Sequence, residues 1–516
     1  MGEILQNANI TWRVYQEEDN FDDNAFAWFD QYKAAKPGNP LWDNGMYKSA
    51  NLYDEFARDV RSGNLTQVAW IVGPAALSEH ATHHPQDGED LSARLIKIFG
   101  EPGNEEIYSK TAFILNYDEG GQFFDHLWSP TAPMNQPRDG QSTVTTEGEV
   151  TKQDNFNVPA GNPIGPGFRV PMFIISPWTR ADGGIVYSEL SDHTSVIKLI
   201  EKRFNVTCPN LSPWRRAVMS DLLYAFDFDA PNYDFPDLPD TSNNTNESAY
   251  ECDHNPPPEL PTSQFMPTQE SGTKISRNLP YKFEVNDTVD STQNTVNISM
   301  RNVGEAGVVF HVFDYLNLAQ SVPPRKYTIE PGKMLSDVWQ FDAAKGYNLS
   351  LFGPNGYVRS FAATKDAQFG AYAVRVVEVE ENESVEFYVE CVVKNEAVCV
   401  HEIVVEDMAY GSPMETLRIT GDTVKTRRDV SGSGNWYDFV VQEVGEEGVV
   451  YTQRRYMGRV ETTRKQRNSI TDPAMSVPRK DTLIHPSVKW YFDQIWKPRD
   501  AEETQAEMCK AHGFVK

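Results

Sequence analysis

The sequence has few cysteines, a shortage of basic residues and no long apolar run. Its five cysteines are too few for a disulfide scaffold. The 74 acidic residues outnumber the 47 basic ones and give a net charge of −27. This balance argues against nucleic acid or an anionic membrane as the main partner, because both attract basic surfaces. No apolar run is long enough to predict a transmembrane segment, and a length of 516 residues predicts more than one domain.

The amino terminus lacks the pattern of a signal peptide, because Met1–Gln6 has neither basic residues nor an apolar core. Other features nevertheless favour an extracellular or secretory location. Acceptor triplets for N-glycosylation recur at Asn9, Asn64, Asn205, Asn210, Asn243, Asn246, Asn286, Asn297, Asn348 and Asn382. Cys391 and Cys399 flank a short polar segment, and the sequence leaves open whether they form a disulfide or remain two buried thiols.

The most informative stretch runs from Thr111 to His126. A β-branched and aromatic run predicts a buried strand, and Asp118, Glu119 and two glycines follow it. In α/β sheets, ligands bind beyond the carboxyl ends of strands, where paired carboxylates can hold a hard or borderline metal ion. A solvated turn is the other interpretation of these residues, since Asp and Gly are common in turns.

The surrounding pattern alternates strands, polar loops and helices. Strands are predicted at Trp12–Gln16, Val68–Val72 and Val170–Ser176, and a helix at Ser191–Phe204 with Asp192 or Thr194 as its cap. Further helices are predicted at 26–32 and 52–60, and 20–24 is interpreted as a turn or a cap. This alternation is typical of a mainly parallel sheet covered by helices.

Five sequence blocks in this order resemble the second half of the catalytic domain of one enzyme family. It is the phosphocholine-specific phospholipase C and acid phosphatase family, within the alkaline-phosphatase-like superfamily. The blocks are Trp70–His80, Tyr117–His126, Gly165–Pro171 with Ile175–Trp178, Asp192–Ser195 and Ser212–Arg216.

The resemblance implies a metal-dependent phosphoesterase that works through a covalent intermediate. Asp118 and Glu119 match the acidic pair of the family, which implies that they bind a divalent metal ion of unknown identity. His80 matches the active-site histidine, which would bond a phosphate oxygen or protonate the leaving group. The implied substrates are phosphatidylcholine-type phospholipids or small phosphate esters, with transient contact to a membrane surface.

Two further histidines are candidates for substrate binding. His126 either lies near the substrate or belongs to an aromatic anchor that seats its loop. His193 either lies near the substrate or simply begins the predicted helix. Arg215 and Arg216 follow a Pro-Trp pair and are expected to form structural ion pairs rather than to bind phosphate.

The family pattern also contains a Glu-Asn-Arg-Ser-Phe-Asp motif and a Ser or Thr nucleophile upstream of these blocks. Neither is found in this sequence, so no residue of the chain is assigned as nucleophile. The resemblance therefore predicts a chain truncated at its amino terminus, with the signal peptide lost. Two hypotheses remain: a phosphoester hydrolase, or a catalytically inactive remnant whose β domains serve binding.

The predicted fold class is α/β, with a partial alkaline-phosphatase-like α/β/α domain, followed by two all-β sandwich domains. The α/β domain spans 1–226, and a Pro/Asp/Asn-rich linker, expected to be extended, spans 227–272. The sandwiches span 273–365 and 366–470, and a tail of unassigned role spans 471–516.

Short-range alternation and turn signals predict the two sandwiches. They also echo each other in sequence. Gly346–Leu349 resembles Trp436–Phe439, and Gly356–Phe361 resembles Arg455–Arg459. Such an internal repeat predicts tandem duplicated domains, and paired carboxy-terminal domains of this kind are typical of the phospholipase C branch of the family.

Overall fold

A computed structural model gives the structure of the chain. It describes residues 1–476 apart from 81–82, 122–124, 126, 153–158, 182, 257–258, 260–261, 263–269, 318–322, 393–398, 446–447 and 463–468. Most of the predicted tail therefore lies outside the described residues. Within the described part of the chain, no helix has the length and apolar character needed to cross a bilayer.

The helices lie mainly in the first half of the described chain. They are α1 (Gly2–Asn7), α2 (Asp30–Ala34), α3 (Pro40–Gly45), α4 (Leu52–Arg61), α5 (Pro85–Lys97), α6 (Glu105–Tyr108), α7 (His193–Phe204), α8 (Pro213–Val218) and α9 (Asn244–His254). The predicted helices at 52–60 and 191–204 are confirmed as α4 and α7. The predicted helix at 26–32 is instead divided between a 3-10 turn at Ala25–Trp28 and α2.

The strands are short before residue 280 and long after it. The first are β1 (Trp12–Tyr15), β2 (Val68–Ile71), β3 (Phe113–Asn116), β4 (Gly140–Ser142), β5 (Met172–Ile175), β6 (Ile185–Val186) and β7 (Ile275–Ser276). The next are β8 (Phe283–Asp290), β9 (Thr295–Asn302), β10 (Val308–Asp314), β11 (Arg325–Ile329), β12 (Met334–Gln340), β13 (Gly346–Phe352) and β14 (Val358–Thr364). The last are β15 (Tyr372–Val379), β16 (Ser384–Cys391), β17 (His401–Asp407), β18 (Glu415–Ile419), β19 (Val424–Asp429), β20 (Trp436–Val444) and β21 (Val450–Arg459).

The mainly parallel sheet predicted for the first region is confirmed only in part. β1 and β2 pair in parallel, with Trp12 opposite Val68. β3 and β5 form a separate pair that is antiparallel, with Phe113 opposite Ile175. A parallel connection usually needs a crossover helix, and the described part of the chain between β3 and β5 contains none.

The β1–β2 pair lies between two layers of helices. Trp12 and Ile200 belong to the buried cluster on one side, which therefore includes α7. Tyr15 and Phe56 belong to the cluster on the other side, together with Leu95 of α5. Side chains of β1 thus alternate between two cores, as expected of a strand covered on both faces.

The predicted extended linker contains a helix. Ser248 of α9 donates a hydrogen bond to the buried carboxylate of Asp87 on α5, at 3.0 Å. Thr241, just before α9, donates to Asp90 on the same helix, at 2.9 Å. The sequence shows only a polar segment here, because α9 is fixed by hydrogen bonds to buried acids rather than by an apolar face.

The β region contains two units with the same strand topology. β8–β14 form the first unit, and β15–β21 form the second. The three-stranded sheet β12-β9-β8 of the first unit corresponds to β19-β16-β15 of the second. Likewise, β11-β10-β13-β14 corresponds to β18-β17-β20-β21. The equivalent order of strands agrees with the duplication predicted from the sequence repeat.

Each unit has its own buried core, but the two are not separate sandwiches. Phe310 and Phe361 lie in the core of the first unit, and Phe387 and Phe439 in that of the second. β14 pairs with β21, so the larger sheets of both units fuse into one nine-stranded sheet with β4 at its edge. Fusion removes one exposed edge from each unit.

Two buried ion pairs also cross between the units. Arg454 of β21 donates to both carboxylate oxygens of Asp287 on β8, each at 2.9 Å. Arg359 of β14 donates to Glu378 on β15, at 3.2 Å. The two arginines lie on equivalent strands of the two units, β14 and β21, and the two acids lie on the equivalent strands β8 and β15. The ion pairs are therefore repeated between the units.

The second unit contains a disulfide. Cys391, at the end of β16, is bonded to Cys399, with their Cα atoms 6.4 Å apart. Of the two interpretations left open by the sequence, the disulfide is therefore confirmed.

Candidate active site

The loops that follow β1 and β2 meet at one edge of the strand pair. Because the two strands are parallel, their carboxyl ends point to the same edge, where α/β proteins bind ligands. Phe21 lies in the first loop and His80 in the second. Their ring centroids are 4.8 Å apart. The structure thus packs the predicted catalytic histidine against an aromatic residue of the first loop.

The first loop has an unusual backbone at this contact. The φ angles of Phe21 and Asp22 are 52° and 60°. Left-handed conformations are uncommon for residues with a side chain, and each costs about 1–3 kcal/mol. Strained residues of this kind cluster at functional sites, which agrees with the position of Phe21 beside His80.

The predicted metal-binding carboxylates follow β3 and are exposed to solvent. Both Asp118 and Glu119 have exposed side chains. The backbone N–H of Glu119 donates to Oδ1 of Asp118 at 2.8 Å. Asp118 therefore stabilises the turn in which it lies, as the alternative interpretation of these residues expected. This local geometry leaves the chemical role of Asp118 open.

Asp23 interacts electrostatically with both predicted groups. Burial raises the pKa of Asp23, Asp118 raises it further, His80 lowers it, and Glu119 raises it again. Such charge effects require proximity, since they decay with distance. The histidine and the carboxylate pair therefore share one electrostatic environment with Asp23.

Tyr117 connects the β3 loop with two other predicted segments. Its hydroxyl donates to Oε2 of Glu79, the neighbour of His80, at 2.8 Å. Its carbonyl oxygen lies 3.0 Å from Nε2 of His193. Burial and the hydrogen bond to Glu79 raise the pKa of Tyr117 to about 12. His193 begins α7, as one interpretation predicted, and it also contacts the loop that carries the carboxylates.

The start of α7 is held by partly buried ion pairs. Asp192 accepts a hydrogen bond from the backbone N–H of Thr194 at 2.9 Å and forms an ion pair with Arg215. Arg215 also reaches Glu149 at 3.3 Å. Arg216 pairs with Glu201 of α7 at 3.0 Å. Both arginines form structural ion pairs, as predicted.

The loop beyond the carboxylates is anchored at Asp125. Arg169 donates to both carboxylate oxygens of Asp125, at 2.7 and 2.9 Å. These hydrogen bonds hold the pKa of Asp125 well below its usual range. His126, the neighbouring candidate for substrate binding, lies outside the described residues.

The donors at this site fit a divalent cation in kind. Asp118, Glu119 and Asp23 supply carboxylate oxygens, which hard cations prefer. Among the residues that the structure describes, however, no group of three or more His, Cys, Asp or Glu is arranged to hold a metal ion. The donors therefore match a metal ion in type without forming a complete coordination shell.

The sequence predicts His80, Asp118, Glu119 and His193 as site residues, and the structure places three further residues beside them. They are Asp23, Glu79 and Tyr117. Asp23 could have been predicted from its position after β1, because the loops that follow parallel strands lie at the same edge of the sheet. Glu79 and Tyr117 each directly precede a predicted site residue. No pattern in the sequence indicates that these two side chains are in contact.

Two parts of the chain match known protein families. Residues 1–207 match the Phosphoesterase family. Residues 275–362 match the bacterial phospholipase C, C-terminal domain. The first match contains the candidate site, and the second covers most of the first β unit.

Bacterial phospholipases C resemble the chain over most of its length. The non-hemolytic phospholipase C of Pseudomonas aeruginosa is 38% identical over 483 residues, which cover 92% of this chain and 68% of the relative. The non-hemolytic phospholipase C of Burkholderia pseudomallei is 34% identical over 506 residues, covering 92% and 69%. The hemolytic phospholipase C of Pseudomonas aeruginosa is 33% identical, covering 70% and 54%.

Proposed function

The chain belongs to the Phosphoesterase family of hydrolases that cleave phosphoester bonds, and from this premise we propose that it is a metal-dependent phospholipase C. It cleaves the bond between the glycerol oxygen and phosphorus of phosphatidylcholine-type lipids. The observation that carries this proposal is the hydrogen bond from Tyr117 to Glu79, at 2.8 Å, which joins the loop of His80 to the loop of Asp118 and Glu119. No residue of this chain is assigned as nucleophile.

Each of these residues has a role that its chemistry supports. Asp118 and Glu119 would hold a divalent cation, which would supply positive charge to neutralise the phosphoryl oxygens. His80 donates a hydrogen bond to a phosphate oxygen or a proton to the leaving alkoxide, as imidazole can near neutral pH. His193 stands at the amino terminus of α7, where an anionic ester is also favoured.

The surroundings of the site support a zwitterionic lipid as substrate. Phe21, Trp28 and Phe29 expose 46%, 69% and 48% of their surface, and Nε1 of Trp28 donates to the carbonyl of Asp22 beside the site. Exposed aromatic side chains suit contact with a lipid surface, and their ring faces attract quaternary ammonium groups. The net charge of −27 disfavours an anionic lipid.

The same proposal includes an extracellular or secretory location. The disulfide between Cys391 and Cys399 supports it, because disulfides persist in oxidising compartments. Asn348, one of the glycosylation triplets, is buried within β13. We therefore expect no glycan at that position of the folded protein.

The test is the product released from phosphatidylcholine vesicles by the full chain. We expect phosphocholine and diacylglycerol, faster from phosphatidylcholine than from phosphatidylglycerol. We also expect loss of activity with a chelator and recovery when a divalent cation is added. Release of choline in place of phosphocholine, or no release with any divalent cation, would refute the proposal, and the latter would favour the binding-only hypothesis. Activity that survives chelation would refute the metal requirement alone.

A further inference from the structure

Tyr117 forms hydrogen bonds with residues of two other loops of the candidate site. Its hydroxyl donates to Oε2 of Glu79 at 2.8 Å, and its carbonyl oxygen lies 3.0 Å from Nε2 of His193. A carbonyl oxygen only accepts hydrogen bonds, so His193 must carry its proton on Nε2. Glu79 directly precedes His80, and Tyr117 directly precedes Asp118. One residue therefore connects the histidine loop, the carboxylate loop and the start of α7.

We propose that Tyr117 and Glu79 are positioning residues that set the placement of His80 relative to Asp118 and Glu119. This inference rests on the proposed function of the site. Neither residue is assigned contact with the substrate. Each acts through its neighbour in the chain, because the backbone carries a displacement of the anchored side chain directly to the next residue.

A glycine of α5 supports this assignment from the opposite side of Glu79. A Cβ atom at Gly88 would lie 2.4 Å from Cγ of Glu79, which is closer than two non-bonded carbon atoms can approach. Glycine inside a helix costs about 1 kcal/mol relative to alanine. The close approach explains why glycine occupies position 88, since a residue without a side chain leaves room for Glu79. The Glu79 side chain is thus held between α5 and the Tyr117 hydroxyl.

The contact matters because the site is built from loops rather than from one continuous sheet. His80 follows β2, while Asp118 follows β3, and the two strands belong to different pairs. No ladder of backbone hydrogen bonds between β2 and β3 is present in the described structure. A misplacement of about 1 Å at a catalytic centre can cost on the order of 10²-fold in rate. A side-chain bond that joins the two loops is therefore well placed to control activity.

The main experiment compares Tyr117→Phe with the wild-type chain in hydrolysis of p-nitrophenylphosphorylcholine. The substitution removes only the hydroxyl that reaches Glu79. We expect kcat to fall roughly 10-fold or more with little change in KM, because residues that orient catalytic groups typically contribute 10–100-fold. Thermal unfolding of each variant checks that the fold is retained.

Three further variants separate positioning from a general loss of contacts. Glu79→Ala should lower kcat as Tyr117→Phe does, and Glu79→Gln should recover most of that loss, since its amide oxygen still accepts from Tyr117. Gly88→Ala should lower kcat by displacing Glu79. In the double variant Tyr117→Phe/Glu79→Ala, the losses should not add, because both changes break one contact.

Tyr388→Phe is the matched control. Tyr388 of β16 donates to Oε2 of Glu386 at 2.7 Å, an equivalent tyrosine–glutamate bond on a strand of the second β unit. This variant should keep the wild-type kcat. A wild-type kcat in Tyr117→Phe would overturn the inference. So would Glu79→Gln if it were as inactive as Glu79→Ala, since the charge of Glu79 would then be what matters.

A spectroscopic measurement tests the inference without relying on hydrolysis. In the full chain with ¹⁵N-labelled histidine, His193 should appear as the tautomer protonated at Nε2. The resonances of His80 and His193 should both shift in Tyr117→Phe and remain unchanged in Tyr388→Phe. Unchanged resonances in Tyr117→Phe would overturn the positioning role even if the proposed activity were absent. Shifted resonances in an inactive wild-type chain would support positioning and refute the proposed function alone.

Discussion

The candidate site and the β units place their charged residues in opposite ways. In the β units, Arg454 and Asp287 are buried and paired across the repeat, with 5% and 0% of their side chains exposed. At the site, Asp118 and Glu119 are exposed, and no ion pair of either is present among the described residues. A buried charge needs its partner for stability, whereas exposed carboxylates remain available for a ligand. We therefore expect stability and the proposed chemistry to depend on different charged residues.

The largest expected effect lies in the β units. Arg454→Met leaves Asp287 buried without its partner and should destabilise the chain by about 3–5 kcal/mol. The double variant Arg454→Met/Asp287→Leu should recover much of this loss, since no isolated charge remains. Thermal or denaturant unfolding measures both effects.

The control for this change is an exposed ion pair on the same unit. Arg301 lies 3.4 Å from Glu284, and both side chains are more than half exposed. Arg301→Met should change stability by less than about 1 kcal/mol. If Arg301→Met and Arg454→Met destabilised the chain equally, the contrast between buried and exposed charges would not hold.

A smaller effect is expected from the disulfide. Cys391→Ser with Cys399→Ser opens a loop with a sequence separation of 8 and should lower the free energy of unfolding by about 2–3 kcal/mol. Hydrolysis should be unaffected below the unfolding transition, because the bridge belongs to the second β unit. A loss of kcat in the folded double variant would show that this unit also supports the site.

The smallest expected effect is a pH dependence within the β units. Burial lowers the pKa of His311 on β10 from its ordinary value of 6.5 to about 4. Between these values the unfolded chain binds more protons than the folded chain. This contribution to stability is therefore fully present above pH 6.5 and is lost as the pH falls toward 4. Between pH 7 and pH 5 the loss should be about 2 kcal/mol.

His311→Leu should remove this part of the pH dependence. The Nε2 atom of His311 is buried without a hydrogen-bond partner in the described structure, so an apolar side chain is a fair replacement. The measurement is the difference in the free energy of unfolding between pH 7 and pH 5 for both chains. Equal differences would show that His311 is not the group responsible.

Local sequence patterns predicted much of the fold. Asp192 was expected as a helix cap, and short-range alternation was expected to give β-strands beyond residue 273; both are confirmed. These features depend on neighbours in the chain, so a single segment contains the signal. The fusion of the two units through β14 and β21 could not be predicted, because edge pairing depends on how two folded units meet.

The site could be predicted only where its residues carry chemistry of their own. His80, Asp118 and Glu119 were predicted from residue type and family resemblance, and their roles stay predictions. Asp23 and the Tyr117–Glu79 contact were missed, because they arise from loops that are distant in sequence and that meet only in the folded chain. Long-range side-chain contacts leave no periodicity, so tertiary structure is needed to find them.

The most direct test of the central claim is the rate of phosphocholine release by Asp118→Asn/Glu119→Gln. Its matched control is Glu105→Gln/Glu106→Gln, another exposed acidic pair, at the start of α6. The account predicts a loss of at least about 10²-fold for the first variant, since cation binding and charge stabilisation contribute that much or more. The control should keep the wild-type rate, and both variants should keep the wild-type unfolding temperature. A folded Asp118→Asn/Glu119→Gln chain with a rate within about twofold of wild type would contradict the account.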